Sequence, residues 1–151
     1  MAEAKLFYVG IKALIKNELG EILVLKASLR NHSKGAEPYW DIPGGRVDEG
    51  ETQLETLHRE LVEETGITQV SKEAFYTAVI SHHTVPIDKS DPDSRRAGLV
   101  LMVYTVEIPP QSTILLSPEH VAYEWVSAPE AAKRLANKYP VEFTDLLAKA
   151  S

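Results

Sequence analysis

The chain has 151 residues, of which 44% are apolar and 25% are charged, and its formal net charge at pH 7 is −6. This length and composition are typical of one globular domain, and we expect residues 1–151 to form it. The absence of cysteine excludes a disulfide framework, a thiolate metal site and a cysteine nucleophile. No apolar run approaches the ~20 residues that span a bilayer, and the N-terminus lacks a signal-peptide pattern, so we expect a cytoplasmic protein without membrane contact.

The negative charge is concentrated in one segment. Between Asp41 and Glu64 there are eight acidic residues against two basic ones, Arg46 and Arg59, while the remainder of the chain is balanced. No basic stripe is present that would indicate binding to a nucleic-acid duplex. The acidity is therefore a local property, and an anionic substrate in that segment would need a bridging metal ion.

The first third of the chain predicts a β-hairpin and a short strand. LFYVGIKALI and EILVLKA are apolar segments joined by the turn-like NELG, as in a hairpin. A loop from Ser28 to Pro38 is predicted next. It is followed by YWDIPGG, a short strand in which Pro43 keeps Ile42 extended.

The second half predicts two long strands, one short strand and two helices. EAFYTAVISHH and GLVLMVYTVEI are the long strands, separated by a polar loop from Thr84 to Arg96. Pro109 ends the second of them, and YEWV predicts the short one. Ser127 is placed to cap a helix, and Pro140 to begin the last one.

The segment GGRVDEGETQLETLHRELVEETGI predicts a glycine turn followed by an acidic helix. Positions three and four apart share a helix face, so Glu60, Glu63 and Glu64 lie within an arc of about 100°. Three leucines fall on an adjacent arc and are predicted to pack in the core: Leu54, Leu57 and Leu61. Because the like charges repel, we expect a neutralising cation, and Mg²⁺ prefers such oxygen ligands, with Mn²⁺ as a substitute.

The spacing of this segment resembles the Nudix box at every defining position. The matching residues are Gly45, Glu51, Arg59, Glu60, Leu61, Glu63, Glu64, Gly66 and Ile67. The resemblance implies an α/β fold over nearly the whole chain, the α/β/α sandwich with a mixed sheet and a catalytic loop-helix-loop. It also implies hydrolysis of a nucleoside diphosphate linked to another group, by metal-assisted attack of water at phosphorus.

The same resemblance suggests roles within the segment. Glu63 and Glu64 are expected metal ligands, Glu60 is a ligand or the general base, and the backbone carbonyl of Gly45 is a further ligand. Arg59 lies about 100° from Glu60 around the helix, so we expect it to hold Glu51 or a loop and to orient the catalytic groups.

A second segment, LSPEHVAYEWVS, resembles a Glu-His-x-x-Tyr-x-Trp stretch of several Nudix subfamilies, among them diadenosine polyphosphate hydrolases and some nucleoside triphosphate pyrophosphatases. By this resemblance Glu119 supplies a distal carboxylate to the metal site or acts as the base; the alternative is an exposed loop glutamate. His120 contacts a phosphate or is structural. Trp125 is expected in the core.

Substrate phosphates and a base need further contacts. Lys26, at the end of a predicted strand, and Arg46, beside the glycine turn, are the candidate cations, although both could be surface charges. Tyr39 and Trp40 are candidates for stacking on a base, with packing in the core as the alternative.

Three functions are compatible with these residues. The first is a pyrophosphohydrolase acting on a nucleoside triphosphate or related nucleotide, and the second is a dinucleoside polyphosphate hydrolase, favoured by the second segment. The third is a non-catalytic nucleotide-sensing module, which the retention of all four box glutamates disfavours. The base recognised, the number of metal ions and the choice between monomer and homodimer stay open.

Overall fold

The computed structural model describes residues 4–28, 38–91 and 93–150. Most of the loop predicted between Ser28 and Pro38 lies outside the described residues. The elements in chain order are β1 (Phe7–Lys16), β2 (Ile22–Ala27), β3 (Trp40–Asp41), β4 (Gly44–Arg46), α1 (Gln53–Thr65), β5 (Ser71–Ile80), β6 (Val85–Pro86), β7 (Arg96–Glu107), β8 (His120–Val126), α2 (Ala128–Leu135) and α3 (Val141–Ala148). None of the helices described is both long and apolar enough to cross a membrane.

A mixed sheet forms the centre of the fold. Its main path has the strand order β3-β2-β1-β7-β5. β1 and β7 pair in parallel along the whole of β1, whereas β5 pairs with β7 and β2 pairs with β1 in the antiparallel sense. β4 adds to β1, and β8 adds to β2. The predicted mixed sheet is therefore confirmed.

Helices cover both faces of this sheet. Alternate side chains of a strand point to opposite faces, so Ile11 and Ile15 of β1 join one buried cluster with Leu57 of α1. Leu14 joins the other cluster with Leu135 of α2 and the helix α3. The α/β/α arrangement predicted from the resemblance is present, with α1 on one face and α2 and α3 on the other.

The N-terminal hairpin forms, but its strands soon part. The turn between β1 and β2 contains Gly20, whose φ of 77° favours glycine, and the strands pair at Lys16 and Ile22. Beyond that pair, β2 pairs instead with β8, from Ile22 opposite Val126. This divergence opens the sheet on the side where β4 inserts beside β1.

The predicted helix starts are confirmed. The Ser127 hydroxyl accepts a hydrogen bond from the backbone N–H of Glu130 at 3.3 Å, and Pro140 is the N-cap residue of α3. The Thr84–Arg96 segment contains the short strand β6, which pairs with β7, so the prediction of a loop there was wrong at Val85–Pro86.

One leucine of α1 does not pack as predicted. Leu57 and Leu61 are 0% and 1% exposed, whereas Leu54 is 43% exposed. The buried part of α1 begins at Thr56, so the first turn extends past the region where the helix packs on the sheet.

Candidate active site

The glycine turn places backbone groups directly under α1. β4 pairs with β1, with Gly44 opposite Lys12 and Gly45 opposite Ile11. Gly44 has a φ of 141°, and a Cβ on it would lie 2.0 Å from the carbonyl oxygen of Ile11. Only glycine fits this approach, because any side chain would collide with the backbone of β1.

Two glutamates of α1 reach this turn. The Glu64 carboxylate accepts a hydrogen bond from the backbone N–H of Gly44 at 2.7 Å, and Glu64 is 5% exposed. A Cβ added to Gly45 would lie 2.4 Å from Oε1 of Glu60. Gly45 therefore leaves room for the Glu60 carboxylate, and Gly44 supplies a backbone N–H to that of Glu64.

Burial leaves the charge of these carboxylates poorly compensated. Desolvation raises the pKa of Glu64 to about 8, although the nearby Lys12 ammonium opposes the shift. Desolvation also raises the pKa of Glu60, while Arg59 opposes that shift and Glu63 adds to it. A cation bound between these oxygens would offset both costs.

Arg59 makes the contact with Glu51 expected from its position on the helix. Its Nε and Nη2 donate to the two Glu51 oxygens at 2.7 and 2.9 Å, and Nη2 also donates to the Arg46 carbonyl at 3.2 Å. These hydrogen bonds lower the pKa of Glu51 to about 2. Arg59 therefore ties α1 to Glu51 in the preceding loop and to the end of β4.

The same guanidinium also contacts the acidic face of α1. Nη1 donates to Glu60 at 2.9 Å and to Glu63 at 3.3 Å. In the described ranges, no three His, Cys, Asp or Glu side chains are grouped closely enough to hold a metal ion. Arg59 therefore contacts two of the carboxylates that a divalent cation at this site would use.

The donor set nevertheless suits a hard cation. Three carboxylates of α1, the Gly45 backbone and Glu119 line one open cavity of about 460 Å³. All of these groups offer oxygen, which Mg²⁺ and Mn²⁺ prefer over the sulfur and imidazole ligands chosen by softer metals. The buried, undercompensated charge of Glu64 and the space left by Gly45 are consistent with such an ion.

Most of the predicted site residues share this cavity. It is lined by Tyr39, Gly45, Arg46, Glu60, Glu63, Glu64, Glu119 and His120. Arg59 and Glu51 stand behind the lining as an ion pair at 2.7 Å. The site is therefore assembled from the glycine turn, α1, the segment before β3 and the start of β8.

Lys26 is not brought to the cavity. The β2–β8 ladder shifts register between Lys26 and Ala27, and it is Ala27 and Ser28 that contribute to the lining. The predicted phosphate contact of Lys26 therefore finds no support in the geometry.

The second predicted segment does reach the cavity. The Glu119 carbonyl accepts a hydrogen bond from the Ser28 N–H at 2.8 Å, which fixes the start of β8 beside the end of β2. His120 Nδ1 is buried and has no hydrogen-bond partner within the described residues. Burial lowers the pKa of His120, so the neutral ring is favoured.

The two adjacent aromatic residues differ in their surroundings. Tyr39 lines the cavity and meets the His83 ring edge-on, with 4.8 Å between the ring centroids. Trp40 packs against the core on the α2 side, and the Arg134 guanidinium lies 4.7 Å from its ring. Of the pair, only Tyr39 is placed to contact a ligand.

A buried polar cluster in the cavity wall was missed from the sequence. The Asp41 carboxylate accepts hydrogen bonds from Lys12 at 3.1 Å, Lys138 at 2.6 Å and the Tyr139 hydroxyl at 2.7 Å. Burial would raise the pKa of Asp41, but the two ammonium groups outweigh it and hold the pKa well below its usual range. The one available signal was a lysine at position 12 inside an apolar strand segment.

A NUDIX domain model matches residues 7–147. The chain belongs to the Nudix family. This assignment agrees with the glycine turn and the capped acidic helix α1, which contribute to one cavity, and with Arg59 behind its lining.

Two relatives and one solved structure are informative. An RNA pyrophosphohydrolase of Helicobacter pylori is 33% identical over 105 residues, 66% of this chain and 65% of that protein. An asymmetrical bis(5'-nucleosyl)-tetraphosphatase of Mus musculus is 33% identical over 118 residues, 78% of this chain and 71% of that protein. The solved structure of a MutT protein from Methanosarcina mazei has a TM-score of 0.64 at 28% identity, covering 97% of this chain and 94% of that one.

Some curated relatives are longer than the matched Nudix region. An octanoyltransferase of Myxococcus xanthus is 30% identical over 125 residues, which is 82% of this chain but 31% of that protein. The chain therefore spans about a third of that relative and about two thirds of the Helicobacter protein.

Proposed function

We propose that this Nudix chain is an Mg²⁺-dependent pyrophosphohydrolase. It cleaves a nucleoside diphosphate linked to another group by attack of water at phosphorus. The observation that carries the proposal is the convergence of Glu60, Glu63 and Glu64 with Glu119 in one cavity, although Glu119 comes from a distant part of the sequence. Carboxylates that line one cavity offer the oxygen ligands that metal-assisted phosphoryl chemistry requires.

The proposed roles follow from the placement of each group. Glu63, Glu64, Glu119 and the Gly45 carbonyl would hold the cation, which would supply charge neutralisation on the pyrophosphate and a more acidic water. Glu60, packed against Gly45, takes the proton from the attacking water or completes the ligand set.

Arg59 acts as an orienting residue rather than a substrate contact. Its two hydrogen bonds hold Glu51, and its hydrogen bond to the Arg46 carbonyl holds the end of β4. A partner that restricts ligand side chains in this way sharpens the geometry of the reacting groups.

The substrate we favour is a nucleoside triphosphate or a related nucleotide. A cavity of about 460 Å³ is within the size range of small-molecule sites. Arg46, His120 and Tyr39 line it. We assign Arg46 and His120 to the phosphates and the Tyr39 ring to the base.

A dinucleoside polyphosphate is the second candidate. It is favoured by the likeness to the mouse bis(5'-nucleosyl)-tetraphosphatase, which extends over 78% of this chain. It is favoured too by Glu119 and His120, which belong to the segment shared with such hydrolases and line the cavity.

The test is a chromatographic product assay with Mg²⁺, repeated with Mn²⁺. One pool would contain nucleoside triphosphates, diadenosine tetraphosphate, ADP-ribose and a 5'-triphosphorylated RNA oligomer. Cleavage that stops with EDTA supports the proposal, and the products name the substrate. No cleavage with either metal would contradict the proposal and favour a nucleotide-sensing module.

A further inference from the structure

Lys138 is a buried cation in the connection between α2 and α3. It is 8% exposed and lines the same cavity as the α1 glutamates. Its backbone is held on both sides, because its N–H donates to Leu135 and its carbonyl accepts from His82. The backbone of Lys138 is therefore held in place in the cavity wall.

The two lysines of the Asp41 cluster use their hydrogen-bond donors differently. Lys12 donates to Asp41 at 3.1 Å and to the carbonyls of Ile42 and Gly44 at 3.0 and 3.3 Å, which accounts for all three N–H groups of an ammonium. Lys138 donates to Asp41 at 2.6 Å, and no second hydrogen-bond acceptor is found for it within residues 4–28, 38–91 and 93–150. Two donors of Lys138 are left for a ligand.

The charge of the cluster is also unbalanced. Among the hydrogen-bonded groups, two ammonium groups share the single carboxylate of Asp41, and the third partner, the Tyr139 hydroxyl, is neutral. The Glu64 carboxylate acts on both lysines through space but forms no hydrogen bond to either of them among the described residues. A buried charge without a full partner is costly, and an anion that binds beside it restores the balance. The Lys138 ammonium also lies 5.9 Å from the centroid of the Tyr39 ring.

We propose that Lys138 binds a phosphate of the nucleotide directly, without a metal bridge. Asp41 holds the ammonium, and the two remaining donors take phosphate oxygens in the cavity. The inference rests on the proposed function for the identity of the ligand as a nucleotide phosphate. It assigns a phosphate-binding residue outside the acidic helix, on an element that the Nudix box does not include.

The first test measures binding without metal. Inorganic pyrophosphate would be titrated into the protein in EDTA by calorimetry, for the wild type, Lys138→Met, Lys138→Arg and the control Lys133→Met, which alters an exposed lysine of α2. We expect Lys138→Met to weaken binding about tenfold or more, as for a lost hydrogen bond between charged groups. Lys138→Arg should keep much of the affinity, and Lys133→Met should bind as the wild type does.

Two results would overturn the inference. One is equal affinity of Lys138→Met and the wild type, and the other is no binding of pyrophosphate by the wild type at millimolar concentrations. If Lys138→Met does not fold, NMR of the wild type with 13C-labelled lysine decides instead. The Lys138 ε-methylene signal should shift on addition of pyrophosphate while that of Lys133 stays; an unmoved Lys138 signal contradicts the inference.

The binding measurement also separates this inference from the proposed function. Binding in EDTA that depends on Lys138, together with no nucleotide cleavage in Mg²⁺, would support the phosphate site and contradict the hydrolase proposal. Cleavage by the wild type, with an unchanged KM in Lys138→Met, would support the hydrolase proposal and contradict the phosphate site. If both proposals hold, Lys138→Met raises KM by a larger factor than it lowers kcat.

Discussion

The acidic helix α1 and the buried cluster around Asp41 line the same cavity but are built in opposite ways. The charges of α1 lie close together in the sequence, and Glu63 keeps 55% of its side chain exposed. The Asp41 cluster joins residues 29 and 97 positions apart, and its side chains are buried. Chemistry that depends on spacing along one helix is visible in a sequence, whereas a cluster assembled across the fold is not.

The two regions should also differ in what their removal costs. Exposed ion pairs such as Arg59–Glu63 contribute little to stability, because solvent screens them. Removing one partner from a buried set leaves an uncompensated charge. We therefore expect substitutions on α1 to affect turnover and substitutions at Asp41 to affect folding.

The largest effect is expected from Glu63→Gln. The change removes a ligand charge but little volume from an exposed side chain, so turnover should fall about 1,000-fold while the fold stays intact. Steady-state kinetics and a thermal melt check both parts. The control is Glu142→Gln, an exposed residue of α3 outside the cavity lining. Near-normal turnover of folded Glu63→Gln would contradict the metal assignment.

Asp41→Asn should have the largest effect on stability. The substitution leaves Lys12 and Lys138 without their shared carboxylate, and we expect a loss of about 3–5 kcal/mol in the free energy of unfolding. Urea unfolding compares it with Asp145→Asn, a change at an exposed residue of α3. A loss no greater than that of the control would mean that the cluster contributes nothing to the fold.

The difference in the free energy of unfolding between wild type and Asp41→Asn should also depend on pH. The folded-state pKa of Asp41 is held below its unfolded value by the two ammonium groups. Its contribution to stability is therefore fully present above the unfolded pKa of about 4 and is lost as the pH falls below it toward the folded pKa. The stability gap between wild type and Asp41→Asn should shrink as unfolding is measured at pH 5, 4 and 3. A difference in stability that grows as the pH falls would contradict this expectation.

Arg59→Lys is expected to have a smaller effect on activity. A lysine keeps the charge but cannot donate through a planar fork to both oxygens of Glu51, so turnover should fall about 10- to 100-fold. Calorimetric titration with Mn²⁺ should still detect metal binding, because Arg59 is not a ligand. Complete loss of metal binding in a folded variant would show that the arginine does more than orient its neighbours.

The smallest effect is expected from Thr52→Ala. Thr52 caps α1 in a capping box with Glu55, in which the Thr52 hydroxyl accepts from the Glu55 N–H at 3.2 Å and the Glu55 carboxylate accepts from the Thr52 N–H at 3.0 Å. Its loss should cost about 1 kcal/mol of stability, measured by urea unfolding, with kcat nearly unchanged. A fall in kcat comparable to that of Arg59→Lys would mean that the helix start shapes the site directly.

The parts of the fold that were predicted correctly depend on local signals. Gly66 ends α1 with a φ of 73°, and Ser127 and Pro140 begin α2 and α3 as their residue types suggest. The arrangement of Arg59 and Glu51 followed from the angular spacing of one helix and is present. These features need only a few neighbouring residues to be recognised.

The parts that were missed depend on contacts between distant segments. Lys12 lies on β1 and meets Asp41 of β3, a strand that pairs with β2. Lys138 meets Asp41 from the connection between α2 and α3, which pack over the sheet. Lys26 was chosen as a phosphate contact from its place at a strand end, where the β2–β8 ladder is irregular, but Ala27 and Ser28 line the cavity and Lys26 does not. No spacing in the sequence reports such an irregularity.

The most direct test of the account is hydrolysis of the preferred nucleotide in water enriched in ¹⁸O, with products analysed by mass spectrometry. Attack of water at phosphorus predicts one ¹⁸O atom in the phosphate group of one product for each bond cleaved, with Mg²⁺ required and with almost no product from Glu63→Gln. Cleavage that proceeds unchanged in EDTA, or that leaves the phosphate groups free of ¹⁸O, would contradict the assignment of a metal-dependent pyrophosphohydrolase.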